Sequence, residues 1–264
     1  GVMKTKSKIH KKKLLFKIGI PGLSGMVCII LAAVLPAQER SAGEIMKKVD
    51  ENQHAETRII TSRMIIHARR GTRTISAKSW VKGDEQSFTE YLSPPREKGT
   101  KMLKLQDNLW TYSPDTDRII RISGHMLRQS VMGSDLSYED MMEDPQLSEV
   151  YTATISGSDT LKGRSCWIIR LKAIKDDAAY ASRTVWVDRE RYLILKEERF
   201  AKSGRLLKST EIKDVFRKDG RWVAKKVVFR DELKRGKGTE FILDSVEFNA
   251  DIPSYIFSKA ALRR

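Results

Sequence analysis

The chain has 264 residues, a formal net charge of +16 and only two cysteines. Two cysteines exclude a small domain that is held together by several disulfides. The sequence contains no Arg- or Lys-rich tract interleaved with aromatic residues, so we expect no nucleic-acid partner.

The first 37 residues have the pattern of a secretory signal peptide. They contain seven lysines and no acidic residue, and the apolar run 26–35 (MVCIILAAVL) ends at Pro36. This order is a basic region, an apolar core and a processing site. The alternative is an uncleaved inner-membrane tether at residues 14–37, because Leu35 matches a cleavage box poorly; the strongly apolar run is shorter than the ~20 residues that span a bilayer.

We therefore expect a signal peptide at residues 1–37, one domain at residues 38–264 and a location in the periplasm. Removal of the seven lysines lowers the net charge of the domain to +9. That charge favours transient contact with anionic lipid headgroups, or it is simply a solvated surface rich in Lys and Arg.

One helix is predicted at the start of the domain. Ser41 is a candidate N-cap and Glu44 stands at the capping-box position, while Ile45, Met46 and Val49 form an apolar stripe at helical spacing.

Strand patterns dominate the remainder of the chain, separated by turns rich in Gly, Pro, Asn and Asp. The predicted strands are Arg58–Ala68, Thr72–Val81, Ser87–Leu92, Lys101–Leu105, Leu109–Ser113, Arg118–Ile122, Val150–Ser156, Ser165–Ala173, Arg183–Asp188, Leu193–Phe200, Leu206–Val215, Trp222–Asp231 and Lys237–Phe248. Successive hairpins of this kind indicate an antiparallel barrel or a strongly curved sheet. Cys166 is expected to be a buried strand residue, because its neighbours are apolar.

Residues 123–144 interrupt the strands and contain four of the nine methionines. Within them, a short helix capped by Ser137 is predicted at residues 135–142. Methionine adapts its shape, which suits a surface that accepts variable apolar ligands; the equal alternative is a loop that plugs one end of the sheet. We interpret the acidic pairs Glu139-Asp140 and Glu143-Asp144 as helix surface, since sequence neighbours on a helix do not face each other.

No catalytic or metal-binding motif is present. The four histidines (His10, His54, His67 and His125) have no metal-ligand spacing, and the sequence lacks a Gly-x-Ser-x-Gly elbow and a nucleotide-binding glycine loop. We expect no metal, no cofactor and no enzymatic activity.

Five longer motifs carry a family resemblance. They are Tyr91–Leu103 (YLSPPREKGTKML), Leu109–Pro114 (LWTYSP), Arg118–Ser123 (RIIRIS), Met132–Asp140 (MGSDLSYED) and Asp251–Leu262 (DIPSYIFSKAAL). Together they resemble the LolA-like outer-membrane lipoprotein-sorting proteins, specifically the branch associated with RND/MMPL-type exporters. The resemblance covers nearly all of residues 38–264.

The resemblance implies a mainly β fold of the α+β type. Its curved antiparallel sheet forms an unclosed half-barrel of about eleven strands, and helices cover the concave face. It also implies a monomeric periplasmic carrier that holds the acyl chains of a lipid or lipoprotein in a hydrophobic cavity, moves this cargo between inner and outer membrane, and works with an RND/MMPL-type exporter.

Trp110 and Tyr112 alternate on one strand and therefore share a face, which is ordinary core in a closed barrel and cavity wall in a half-open one. The candidate cavity and lid residues are Met102, Leu103, Trp110, Tyr112, Ile119, Met126, Leu127, Met132, Leu136, Tyr138 and Met141. Two other functions stay open: a lipid-sensing envelope regulator with the same half-barrel, and a periplasmic hydrolase that uses Ser134 or Ser137.

Overall fold

The structure, a computed structural model, describes residues 40–68, 71–143, 146–176 and 178–264. The predicted signal peptide or tether at residues 1–37 lies outside the described residues. Three α-helices are present in the described ranges: α1 (Ala42–Gln53), α2 (Tyr138–Met142) and α3 (Leu147–Val150). In the same ranges, no helix combines the length and the apolar character needed to cross a bilayer.

Helix α1 begins as the sequence predicts. The Glu44 backbone N–H donates to Ser41 Oγ at 3.3 Å, and the Ser41 backbone N–H donates to Glu44 Oε2 at 2.8 Å, which completes a capping box. Ile45, Met46 and Val49 are fully buried against the sheet. The predicted helix and its buried stripe are confirmed.

Thirteen strands form one antiparallel sheet in the described part of the chain. They are β1 (Thr57–Ala68), β2 (Gly71–Lys82), β3 (Gln86–Ser93), β4 (Lys101–Leu105), β5 (Asn108–Ser113), β6 (Arg118–Ile122), β7 (Tyr151–Leu161), β8 (Arg164–Ala173), β9 (Ser182–Asp188), β10 (Ile194–Phe200), β11 (Leu206–Lys218), β12 (Arg221–Asp231) and β13 (Thr239–Phe248).

The strand order is β6-β5-β4-β3-β2-β1-β13-β12-β11-β10-β9-β8-β7. The edge strands β6 and β7 do not pair with each other, so the barrel is unclosed. The mainly β, antiparallel, unclosed fold is confirmed, but the count of about eleven strands is wrong. Every run that the sequence pattern marked as a strand is one, and consecutive strands pair as hairpins except for β6 and β7.

The connection between β6 and β7 decides where a binding site can lie. These two strands follow each other in sequence and yet occupy opposite edges of the sheet. The intervening residues therefore run across one face of the sheet. We call this the inner face, and we call residues 123–143, the first part of the crossing, the cover.

Strand registers assign side chains to the two faces, because side chains alternate along a strand and paired residues share a face. On the inner face, α1 and α3 pack on β8 and β9 around Ile169 and Val185. The cover packs on β1–β6 around Met64 and Met102. On the outer face, the C-terminal segment 252–262 packs on β3–β5, with Leu262 fully buried.

Candidate functional site

A cavity of about 500 Å³ lies on the inner face, between the helical layer on β8–β9 and the cover on β1–β6. Its floor comes from β1 and β10–β13 and is mostly apolar. The apolar floor residues are Ile60, Ile212, Val223, Val227, Phe229, Phe241, Leu243, Val246 and Phe248. Both the volume and this composition are typical of small-molecule sites in proteins.

The length of the floor follows from the strand registers. On β1, Arg58 pairs with Phe248 at one end of the cavity, and Met64 pairs with Phe241 toward the other end. Six residues at ~3.3 Å each give a floor roughly 20 Å long. One lipid chain spans half of a hydrocarbon core that is ~30 Å thick, or about 15 Å. A single extended acyl chain therefore fits along the floor.

A buried ion network closes the far end of this cavity. It consists of Asp140 and Glu143 from the cover and of Arg183, Glu197, Arg199 and Lys208 from β9–β11. Arg183 contacts Glu143 and also Glu197, the latter at 2.6 Å, while Arg199 reaches Glu197 at 2.9 Å and Asp140 at 3.1 Å. Three cations face three carboxylates, which matters because an unpaired buried charge is strongly destabilising.

The protonation states of the network follow from burial and its cations. Burial alone would raise the pKa of Glu197, but Arg199 and Arg183 outweigh it and lower that pKa to about 2. Burial acts in the same way on Asp140, whose pKa is nevertheless held below its ordinary value by Arg199 and the Ser137 N–H. For Glu143 burial dominates and the pKa is raised. Asp140 and Glu197 are therefore ionised at neutral pH.

Polar residues of the Met132–Asp140 motif fasten the cover to the sheet. Asp135 accepts hydrogen bonds from Thr239 Oγ1 at 2.6 Å and from the Asp231 backbone N–H at 3.1 Å. Ser137 and Asp140 form a capping box that begins α2, as the sequence predicts. The Tyr180 hydroxyl then donates to Asp140 Oδ1 at 2.5 Å. The polar residues of this motif therefore serve to attach the cover to the sheet.

The acidic residues of α2 are the clearest departure from the sequence interpretation. We expected helix surface at Glu139-Asp140 and at Glu143, but the side chains of Asp140 and Glu143 are only 3% and 16% exposed. Asp140 of α2 and Glu143, which directly follows α2, both contact the buried arginines of the sheet. Sequence alone does not show which side of a five-residue helix meets the sheet.

The structure divides the predicted cavity and lid residues between the two faces. Met102 lies on the inner face, together with the cover residues Met126, Leu127, Met132, Leu136, Tyr138 and Met141. Leu103, Trp110, Tyr112 and Ile119 share the outer face, where they contact the C-terminal segment around Ile256 and Phe257. None of the eleven lines the cavity over β1 and β10–β13.

Sequence reasoning missed the residues that do line the cavity. The available signal was apolar alternation in two strands, Val227 with Phe229 and Phe241 with Leu243. This pattern is equally typical of ordinary core, and only the long-range strand order shows that these side chains face the cavity.

The hydroxyl groups of the two serines considered as nucleophiles both make hydrogen bonds within the cover. Ser134 Oγ accepts from the Leu136 backbone N–H at 3.2 Å, and Ser137 Oγ donates to Asp140 Oδ2 at 2.8 Å as part of the cap. Cys166 is fully buried in β8, as predicted. Within the described ranges, no group of three or more His, Cys, Asp or Glu is arranged to hold a metal ion.

Solved structures with the same architecture place this fold among known ones. A DUF1329 family protein from Desulfovibrio piger ATCC 29098 has a TM-score of 0.77 at 23% identity, over 84% of this chain and 97% of its own. A putative outer membrane lipoprotein-sorting protein domain from Vibrio parahaemolyticus has a TM-score of 0.74 at 22% identity, over 84% of this chain and 98% of its own. A LolA superfamily protein from Nitrosomonas europaea has a TM-score of 0.68 at 21% identity, over 84% of this chain and 99% of its own.

These likenesses confirm the LolA-like fold that the sequence motifs predicted. No curated protein matches the chain by sequence. A family model described as "Uncharacterized protein" matches residues 83–264, and the chain belongs to that family. The narrower resemblance, to the branch associated with RND/MMPL-type exporters, stays a prediction.

Proposed function

We propose that this protein is a carrier that binds the acyl chains of a lipid or lipoprotein in the inner-face cavity and moves them between the inner and outer membrane. The observation that supports this most directly is an apolar floor roughly 20 Å long in a cavity of about 500 Å³, on a LolA-like fold. In this proposal residues 1–37 direct the protein to the periplasm, and an RND/MMPL-type exporter is its partner.

The energetics of transfer require such a cavity. Burial of each methylene is favourable by about 0.8 kcal/mol, so the transfer of an acyl chain of ~14 methylenes into water costs on the order of 11 kcal/mol of free energy. An apolar floor as long as the chain offsets most of that cost. Cargo of this kind therefore crosses an aqueous gap only when it is bound.

Loading requires access to the inner face, and the cover is the element that moves in this proposal. Its methionines Met126, Met132 and Met141 pack in the same cluster as Met102 on the inner face. Displacement of the cover would expose these flexible side chains and lengthen the binding surface toward β1–β6.

A vesicle transfer assay tests this function. Donor vesicles carry a fluorescent phospholipid and a quencher, and acceptor vesicles carry neither. We expect the protein to accelerate transfer in proportion to its concentration, and we expect Val246→Trp, which fills the floor, to remove most of the acceleration. Transfer at the protein-free rate would overturn the proposed function.

A further inference from the structure

Arg58 is a charged residue that lines the cavity and does not belong to the ion network. It lies on β1 on the inner face, beside Phe248 of β13, and it lines the cavity at the end opposite the network. Its Nε atom is buried and has no hydrogen-bond partner in the described structure. Among the described residues Arg58 makes no ion pair, whereas Arg183 and Arg199 each contact two or more carboxylates.

The charges around Arg58 leave its guanidinium without a full counterion. Burial lowers the pKa of Arg58, Asp84 partly offsets this effect, and Arg221 adds to it. Asp84 is engaged elsewhere, since it accepts a hydrogen bond from Gln146 Nε2 and lies 3.9 Å from His54 Nδ1. Arg221 donates to the His54 backbone carbonyl. Arg221 thus has a partner, whereas the Arg58 side chain makes no hydrogen bond or ion pair with the described residues and lines the cavity.

The position of Arg58 fits the polar end of an amphiphile. Gln53, the last residue of α1, and His54, which follows it, are exposed beside Arg58, so this end of the cavity meets solvent. At the far end, the cations of the ion network already contact carboxylates of the protein, and the floor between the two ends is apolar. A ligand tail on the floor therefore has one place for a charged head.

We propose that Arg58 binds the anionic headgroup, a carboxylate or a phosphate, of the amphiphile whose acyl chain occupies the cavity. A guanidinium presents a planar pair of N–H donors that matches both anions. This inference rests on the proposed carrier function and narrows its cargo from acyl chains in general to acidic lipids.

Paired ligands test the inference. Palmitate and its methyl ester have the same chain, but only palmitate is charged. Each is titrated against the protein loaded with a fluorescent fatty acid, and displacement gives its affinity. We expect palmitate to bind about ten- to a hundredfold more tightly than the ester, which corresponds to one charge-assisted contact. In Arg58→Gln this preference should disappear, while the affinity for the ester stays unchanged.

Arg63→Gln is the matched control. Arg63 lies on the same strand but on the outer face, where it contacts Asp244 at 2.7 Å. We expect this variant to keep the wild-type preference. Unchanged ester binding shows that each variant is folded.

The outcomes separate the two proposals. Equal wild-type affinity for both ligands, or an equal loss of both in Arg58→Gln, would overturn the role of Arg58 and leave the carrier intact. Binding of neither ligand would overturn the carrier itself. Displacement of palmitate by inorganic phosphate at equal concentration would assign Arg58 to a free anion rather than a lipid headgroup, and so would also overturn the inference.

Discussion

Replacement of Glu197 by Gln removes the carboxylate shared by two buried arginines. Glu197 lies 2.6 Å from Arg183 and 2.9 Å from Arg199, and its side chain is 8% exposed. Its pKa of about 2 in the folded protein, against an ordinary value of 4.5, corresponds to ~3 kcal/mol of stability at pH 7. Loss of one partner of a buried ion pair costs about 3–5 kcal/mol. Both routes give a loss of ~3 kcal/mol or more.

The pH dependence of this loss has a definite sign. Since the pKa of Glu197 is lower in the folded state, its stabilisation is present above pH 4.5 and is lost as the pH falls toward 2. Urea unfolding of wild type and Glu197→Gln at pH 7, 4 and 3 measures the difference. We expect ~3 kcal/mol at pH 7 and less than about half of that at pH 3.

Glu198→Gln is the matched control for this experiment. Glu198 is the next residue on β10, faces outward and pairs with Lys196 at 2.7 Å with 24% of its side chain exposed. We expect a loss of at most about 1 kcal/mol, as for other exposed pairs. A loss for Glu197→Gln that is no larger than this, or that is the same at pH 7 and pH 3, would refute the reasoning.

Three further substitutions test other parts of the structure. Val246→Trp fills the cavity floor, so we expect at least about tenfold weaker fatty-acid binding with an unchanged circular dichroism spectrum; wild-type affinity would place the ligand elsewhere. Leu262→Ala removes a fully buried side chain from the outer-face core, and urea unfolding should show a loss of about 2–5 kcal/mol. Ser41→Ala removes the cap of α1, and its unfolding free energy should fall by about 1 kcal/mol; no change would mean that the capping box contributes nothing.

Much of the fold could be predicted because its signals are local. The cap at Ser41, the turn residues between hairpins and the strand patterns each concern a few neighbouring residues, and the structure confirms them. The cap at Ser137 was predicted for the same reason. The count of strands was better inferred from these local patterns than from the family resemblance.

The positions of the candidate site residues were harder to predict, because they depend on which face of the sheet each strand presents. Alternation shows that Trp110 and Tyr112 share a face, but it does not show which of the two faces of the sheet that is. Both faces of β3–β5 are covered, one by the cover and one by the C-terminal segment. An apolar stripe is therefore expected on either side, and the stripe with Trp110 faces outward.

Long-range pairing explains the rest. The cavity exists because β1 pairs with β13, the first strand with the last, which brings Arg58 and Ile60 beside Phe248 and Val246. The ion network likewise joins residues far apart in sequence, such as Glu143 and Arg183. No local pattern contains this information.

Lipid analysis of the purified full chain tests the central claim most directly. Wild type and Val246→Trp are isolated from cells under identical conditions without detergent, and native mass spectrometry measures bound species before and after mild collisional activation. We expect wild type to carry one acyl-chain lipid per molecule and Val246→Trp to carry almost none. Wild type without any acyl species, or equal occupancy in both proteins, would contradict an acyl-binding cavity on the inner face.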